Sequence, residues 1–218
     1  MSELLRPIPA PLYDRRFEHD ACGVGFIADL SGTQRHRVAG LALDALAALE
    51  HRGARAADDL TGDGAGVALS LSRGFVTRLA GEAGVPGVDP RRIAIGMCFL
   101  PPAAEARQRA EGSIAASLAA AGLALAGWRD VPVRRELLST VLGEAPVVRQ
   151  AIVTRPAGMR SLSFRRALAT ARRRAEVELG ATTGLEETTI VSLSPDSIVY
   201  KGLFMGGQLG AFYPDLRA

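Results

Sequence analysis

Between Arg92 and Pro101 the chain reads RIAIGMCFLP, an unbroken apolar run stopped by two prolines, Pro101 and Pro102. An apolar run this short, ended by residues that cannot continue a ladder, is a strand. A strand so apolar has to be covered, which calls for an architecture of packed layers.

The rest of the chain supplies the layers. Residues 36–50 place Val38, Leu41, Ala42, Ala45, Leu46 and Leu49 at helical spacing, and Gly53 is a natural stop. Residues 61–72, TGDGAGVALSLS, read as a glycine-rich turn entering a strand, and 75–84 as a short helix. An alanine-rich helix over 104–122 precedes a strand over 123–132. A helix is expected over 134–145, a strand over 149–158 and an arginine-rich helix over 162–179. Residues 188–204 read as two strands about a Ser-Pro-Asp turn, which predicts a hairpin. Near the start, CGVGFIADL (22–30) predicts a buried strand ended by the turn SGT. Residues 1–21, with Pro7, Pro9 and Pro11, read as an extended leader. The order is mixed α and β in one domain, without a plain repeating βαβ pattern.

Composition excludes several classes. At 218 residues, with 48% hydrophobic and 22% charged, the chain is an ordinary globular one. No apolar run approaches the roughly 20 residues that span a membrane, and no secretory apolar stretch precedes residue 22. Two cysteines far apart make no disulfide framework, so a reducing, cytoplasmic setting is expected. The net charge is +3, and Lys201 is the only lysine. Arginine in place of lysine points to compositional bias. The cluster FRRALATARRRAE (164–176) reads as a solvated helix face, because no aromatic residue interleaves with its arginines to stack on bases. No nucleic acid and no membrane is expected as a partner.

Three features could carry chemistry. Cys22 opens the first predicted strand, where a cysteine is commonly a small buried hydrophobe. His19, His36 and His51 form no obvious dyad with it. Cleavage of the Ala21–Cys22 bond would instead give Cys22 a free α-amine, with a pKa of about 7.7–8.0, able to act as base for its own thiol. Gly23, lacking a Cβ, would then let substrate and backbone come close. The second feature is EHRGARAADDLTGDGAG (50–66), with His51, Arg52, Asp58, Asp59 and Asp63. Its glycines follow a loop and precede a strand, the reverse of a dinucleotide fingerprint, so turn chemistry is expected. The third is Cys98, inside the apolar strand, read as core. No Cys/His pair has metal-ligand spacing, so no metal is expected.

Four stretches, LYDRRFEHDACGVGFIA, LEHRGARAADDLTGDGAGV, GWRDVPV and IVYKGLF…FYPDL, occur in one order. Together they resemble the start of the glutamate synthase large chain, in its class II glutamine amidotransferase domain of the N-terminal-nucleophile type. The resemblance covers essentially the whole chain. It implies an α+β fold, part of a four-layer αββα sandwich, with residues 1–21 a removable propeptide and 22–218 the first portion of the amidotransferase domain.

The resemblance further implies that the Cys22 thiolate attacks the side-chain amide of glutamine, releasing ammonia, and that water hydrolyses the thioester to glutamate. Arg52, in the HRG motif, would order the site beside Gly23. In the full enzyme the ammonia would aminate 2-oxoglutarate. FMN and an iron–sulfur cluster would sit in the remainder of the large chain, with a small subunit or another electron donor as partner, and no cofactor in this chain. The family's Arg-Phe-Ser-Thr-Asn-Thr run, its oxyanion-forming Asn-Gly pair and a later aspartate do not follow FYPDL here. The chain alone is therefore expected to be inactive. The alternative is a non-catalytic fragment or assembly module that pairs with a separate chain.

Overall fold

The computed structural model describes residues 23–31, 36–49, 62, 64–138 and 145–217. At its centre is the strand from which the sequence argument began, β2 (Ile93–Leu100). It lies between β4 (Val147–Thr154) and β5 (Thr189–Ser194), and β3 (Ala124–Asp130) pairs with the far side of β4. Every pairing is antiparallel. Ile93, Ile95 and Met97 of β2 enter one core, and Ala94, Cys98 and Leu100 enter the other. Burial on both faces explains why β2 is continuously apolar, where a half-exposed strand alternates.

One face of this sheet is covered by α3 (Ala104–Ala120) and α4 (Ser161–Gly180). Ile114 and Leu118 of α3 meet Phe164, Leu168, Ala171, Ala175 and Leu179 of α4 there. The α4 residues recur at the four- and three-residue steps of a single helix face. The other face packs against a second, two-stranded sheet of β1 (Ala65–Ser70) and β6 (Ser197–Gly202), with α2 (Arg73–Glu82) beside it. Beyond β1 lies α1 (His36–Ala48), whose Leu43 and Leu46 pack onto the inter-sheet core. The layers run helix, sheet, sheet, helix, the α+β arrangement expected.

Three expectations are corrected. Residues 188–204 are not a hairpin, because β5 joins the four-stranded sheet and β6 the two-stranded one. The Ser192 hydroxyl accepts the Val199 N–H at 3.2 Å, in place of a ladder carbonyl. The Ser194 hydroxyl accepts the N–H groups of Asp196 and Ser197, so the Ser-Pro-Asp segment is an arch from one layer to the next. Residues 23–29 form no strand. Val24 and Phe26 are 92% and 93% exposed, since among the described residues no backbone pairs with them and no layer covers them. The helix expected over 134–145 is a single 3₁₀ turn, Arg135–Leu137, in its described part, and 139–144 lie outside the described residues.

Candidate active site

Of the three site residues, Cys22 and Arg52 lie outside the described residues, as do His51, Asp58, Asp59 and Asp63. Gly23 is described. It sits against the C-terminal end of α1, where a Cβ would come within 3.2 Å of both methyl carbons of Leu49. Three residues beyond Leu49 comes Arg52. The structure therefore brings the neighbour of Cys22 and the entry to the Arg52 segment to one place.

The same segment ends at Gly62, which is held equally closely. A Cβ there would lie 3.1 Å from the Met205 nitrogen and from the Phe204 carbonyl carbon. At Gly206 a Cβ would lie 2.5 Å from the Leu46 carbonyl oxygen, so α1 rests directly on the backbone that follows Met205. Leu46 and Leu49 are about one helical turn apart. The ends of the Cys22 and Arg52 segments thus converge on a corner, Leu203–Gly206, at the rim of the two-stranded sheet. Beside it a cleft of about 280 Å³ opens between α1 and the C-terminal turn, with Gly40, Leu43, Asp44, Gly206, Gly210 and Arg217 in its wall.

Aromatic packing fixes that corner. Phe204 packs against Phe212 at 5.1 Å between ring centroids, and Phe212 meets Tyr213 edge-on at 4.7 Å. Tyr213 in turn lies edge-on to Tyr200 at 5.0 Å, and its hydroxyl donates to the Lys201 carbonyl at 2.9 Å. Burial pushes the hydroxyls of Tyr200 and Tyr213 well above the ordinary tyrosine range, so both remain protonated donors. The Gln208 side chain accepts the Met205 N–H at 2.8 Å and closes the turn.

Sequence reasoning missed the molecule's most heavily charged interior group. Arg129 of β3 donates to both oxygens of Asp215, at 2.7 and 2.8 Å, in a two-pronged pair of which both members are buried. Arg129 also donates to the Gln150 amide oxygen at 3.0 Å and to Glu82. The Tyr200 hydroxyl donates to Asp215 at 3.2 Å and accepts from the Gln150 amide nitrogen. Burial works against the charge on Arg129, but the hydrogen bonds and negative charge of Asp215 and then Glu82 outweigh it, and its pKa is raised. Arg129 belongs to GWRDVPV, Tyr200 to IVYKGLF and Asp215 to FYPDL. Two of the four stretches singled out in the sequence, the last of them through both its ends, therefore meet in one network between the sheets, tying the C-terminal turn Pro214–Leu216 to both. The available signal was a charge in each stretch set among Trp, Tyr, Phe or Pro.

Cys98 is core, as expected. It is 1% exposed against α3 and α4, and burial pushes its thiol up to about 12. Among the described residues no three His, Cys, Asp or Glu side chains gather as a metal site, and no helix is long and apolar enough to cross a membrane. An iron–sulfur cluster takes a set of cysteine thiolates, commonly four, and this chain has two cysteines. Its donor set does not fit a cluster.

Comparison with known proteins gives a consistent picture. The family model described as class-II glutamine amidotransferases matches residues 22–218. The chain is 38% identical, over 94% of its length, to the NADPH glutamate synthase large chain of Bacillus subtilis (strain 168). It is 36% identical over 95% to the corresponding large chain of Azospirillum brasilense. It is 34% identical over 98% to the chloroplastic ferredoxin-dependent glutamate synthase 2 of Arabidopsis thaliana. It spans 13%, 14% and 13% of the lengths of these three relatives, respectively.

Proposed function

The chain belongs to the class-II glutamine amidotransferases, as its motifs led us to expect, and we propose that it is the front portion of the glutaminase domain of a glutamate synthase, with Cys22 as nucleophile once residues 1–21 are removed. The observation that carries this reading is that the family match begins at Cys22, the residue that must become the N-terminus. The chain has one other cysteine, Cys98, and its buried thiol, pushed up to about 12, is unsuited to attack.

In this mechanism the Cys22 α-amine takes the thiol proton, and the thiolate adds to the carbonyl carbon of the glutamine side chain. The tetrahedral adduct collapses with proton transfer to the amide nitrogen, which leaves as ammonia. Water, activated by the same amine, hydrolyses the γ-glutamyl thioester and returns glutamate and the free thiol. The C–N bond broken in the first half is replaced by C–S, and C–S by C–O in the second. Arg52 orders the site, its guanidinium fork holding carboxylate or backbone oxygens. Gly23 keeps the backbone after Cys22 free of a Cβ beside Leu49. The ammonia then serves to aminate 2-oxoglutarate elsewhere in a larger cytoplasmic enzyme that carries FMN, an iron–sulfur cluster and an electron donor.

Intact-mass analysis of the purified chain tests the assignment. We expect the wild type to lose residues 1–21 and the Cys22→Ala variant to keep them. A folded wild type that retains Met1 overturns self-processing at Cys22. The 218 residues contain no asparagine, so the Asn-Gly oxyanion pair that the resemblance requires is not supplied by this chain. Loss of one such donor typically costs about 10²–10³ in rate. Isolated chain is therefore expected to release no ammonia from glutamine above the Cys22→Ala control, and robust Cys22-dependent release would overturn that expectation.

A further inference from the structure

The arginines of α4 fall into two sets. Arg165 grips both oxygens of Asp196 at 2.7 and 2.8 Å, and Arg172 bonds Glu176 at 2.7 Å. Arg166 and Arg174 meet no carboxylate among the described residues, and Arg173 comes no nearer than 3.9 Å to Glu176. At about 3.6 residues per turn, positions 162, 166, 169, 173 and 177 point directly away from the buried face of α4. Leu162 and Val177 stand at the two ends of this outward stripe, each 57% exposed. Between Val177 and the arginine stems the short side chains of Ala169, Thr170 and Ala181 leave a shallow, open surface, with Glu178 at its edge.

We propose that this outer stripe of α4 is a docking surface for an acidic, amphipathic helix of another protein chain. An aliphatic side chain opposite the core does nothing for the fold of its own helix, and two at the ends of one stripe match the leucine rows of a partner helix laid along it. The arginine stems add apolar wall while their guanidinium groups stay at the rim, an arrangement suited to carboxylates on either flank of the partner. Charge decides among occupants. A second copy laid α4 against α4 would set Arg166, Arg173 and Arg174 against their own kind. A nucleic acid would find the cations without an aromatic platform, since no Phe, Tyr or Trp lies on the stripe.

The test uses the full 218-residue chain and a fluorescent synthetic helix with a leucine stripe flanked by glutamates. Controls are a scrambled peptide of the same composition and a single-stranded oligouridylate. We expect saturable binding of the helix, weakened at least about tenfold by the triple variant Arg166→Glu/Arg173→Glu/Arg174→Glu and unchanged by Arg91→Glu. Leu162→Ser/Val177→Ser, which leaves the charges in place, is also expected to weaken it. All three variants change exposed side chains, and unaltered melting temperatures would confirm that they fold. Equal binding of the scrambled peptide, indifference to the aliphatic pair, or tighter binding of the oligouridylate would each overturn the proposal.

Discussion

The four-stranded sheet and the two-stranded sheet are built on opposite terms. In the first, β2 is flanked by strands on both edges and by apolar layers on both faces, and Ile93, Ala94, Ile95 and Ile152 have no measurable exposure. In the second, β1 and β6 form a two-stranded sheet, and residues 23–29, which begin against the end of α1, leave Val24 and Phe26 bare. The first is held by side chains meeting side chains. The second adds to its buried Ile198, Tyr200 and Phe204 close backbone approaches at Gly62 and Gly206. Gly62, the described end of the segment that contains Arg52, lies at the rim of the second. The four-stranded body is buried throughout β2, while the rim joins buried aromatic rings to close backbone contacts.

The sharpest way to test this contrast is at Asp215, which bonds Arg129 of one sheet and Tyr200 of the other. Asp215→Asn leaves Arg129 buried with half its counter-charge, and loss of a buried partner typically costs about 3–5 kcal/mol. Chemical denaturation is expected to show a loss of that order, and the double variant Arg129→Met/Asp215→Leu less than the sum of its parts. If Asp215→Asn is neutral, the sheets are not coupled through this pair. Next comes a direct comparison of the regions. Ile152→Ala in the body should cost about 2–5 kcal/mol. Phe26→Ser at the rim should stay within about 0.5 kcal/mol. Equal effects would mean that residues 23–29 are covered in solution.

Gly206→Val probes how the rim is held. Its Cβ would meet the Leu46 carbonyl, which cannot rotate away, so α1 must lift, at about 1–3 kcal/mol. Hydrogen exchange should then quicken in α1 while β2 and β4 stay protected. The smallest effect concerns the arch between the sheets. The hydrogen bond from Arg165 holds the Asp196 carboxyl below its ordinary value of 3.8, against a smaller opposing effect of burial. A depressed carboxyl contributes stability that is fully present above the unfolded value and lost as pH falls through the folded one. Asp196→Asn should therefore lower the melting temperature slightly at neutral pH, and the gap should close below about pH 4. A gap that persists at lower pH would assign the effect to something other than this pair.

The body was legible in the sequence because its signal is local. Apolar runs ended by proline gave β2, and a four-and-three step gave the buried face of α4. The arch was misread because a Ser-Pro-Asp turn begins a hairpin and a layer crossing alike. What separates them is whether Val199 finds a backbone carbonyl or the Ser192 hydroxyl, a contact no turn rule contains. Residues 22–30 have strand composition, but a strand also needs a partner edge, which periodicity does not supply. Arg129 and Asp215 stand 86 positions apart, and a charge in sequence reads as a solvated one until the fold closes over it. Of the site, the approach of Gly23 to Leu49 and of Gly62 to Phe204 and Met205 came only from the structure.

The burial of Cys98 has a practical consequence. Shut between β2 and two helices, with its thiol held protonated to about 12, it is silent to any reagent dissolved in water. Label on Cys98 therefore marks the moment at which the body opens.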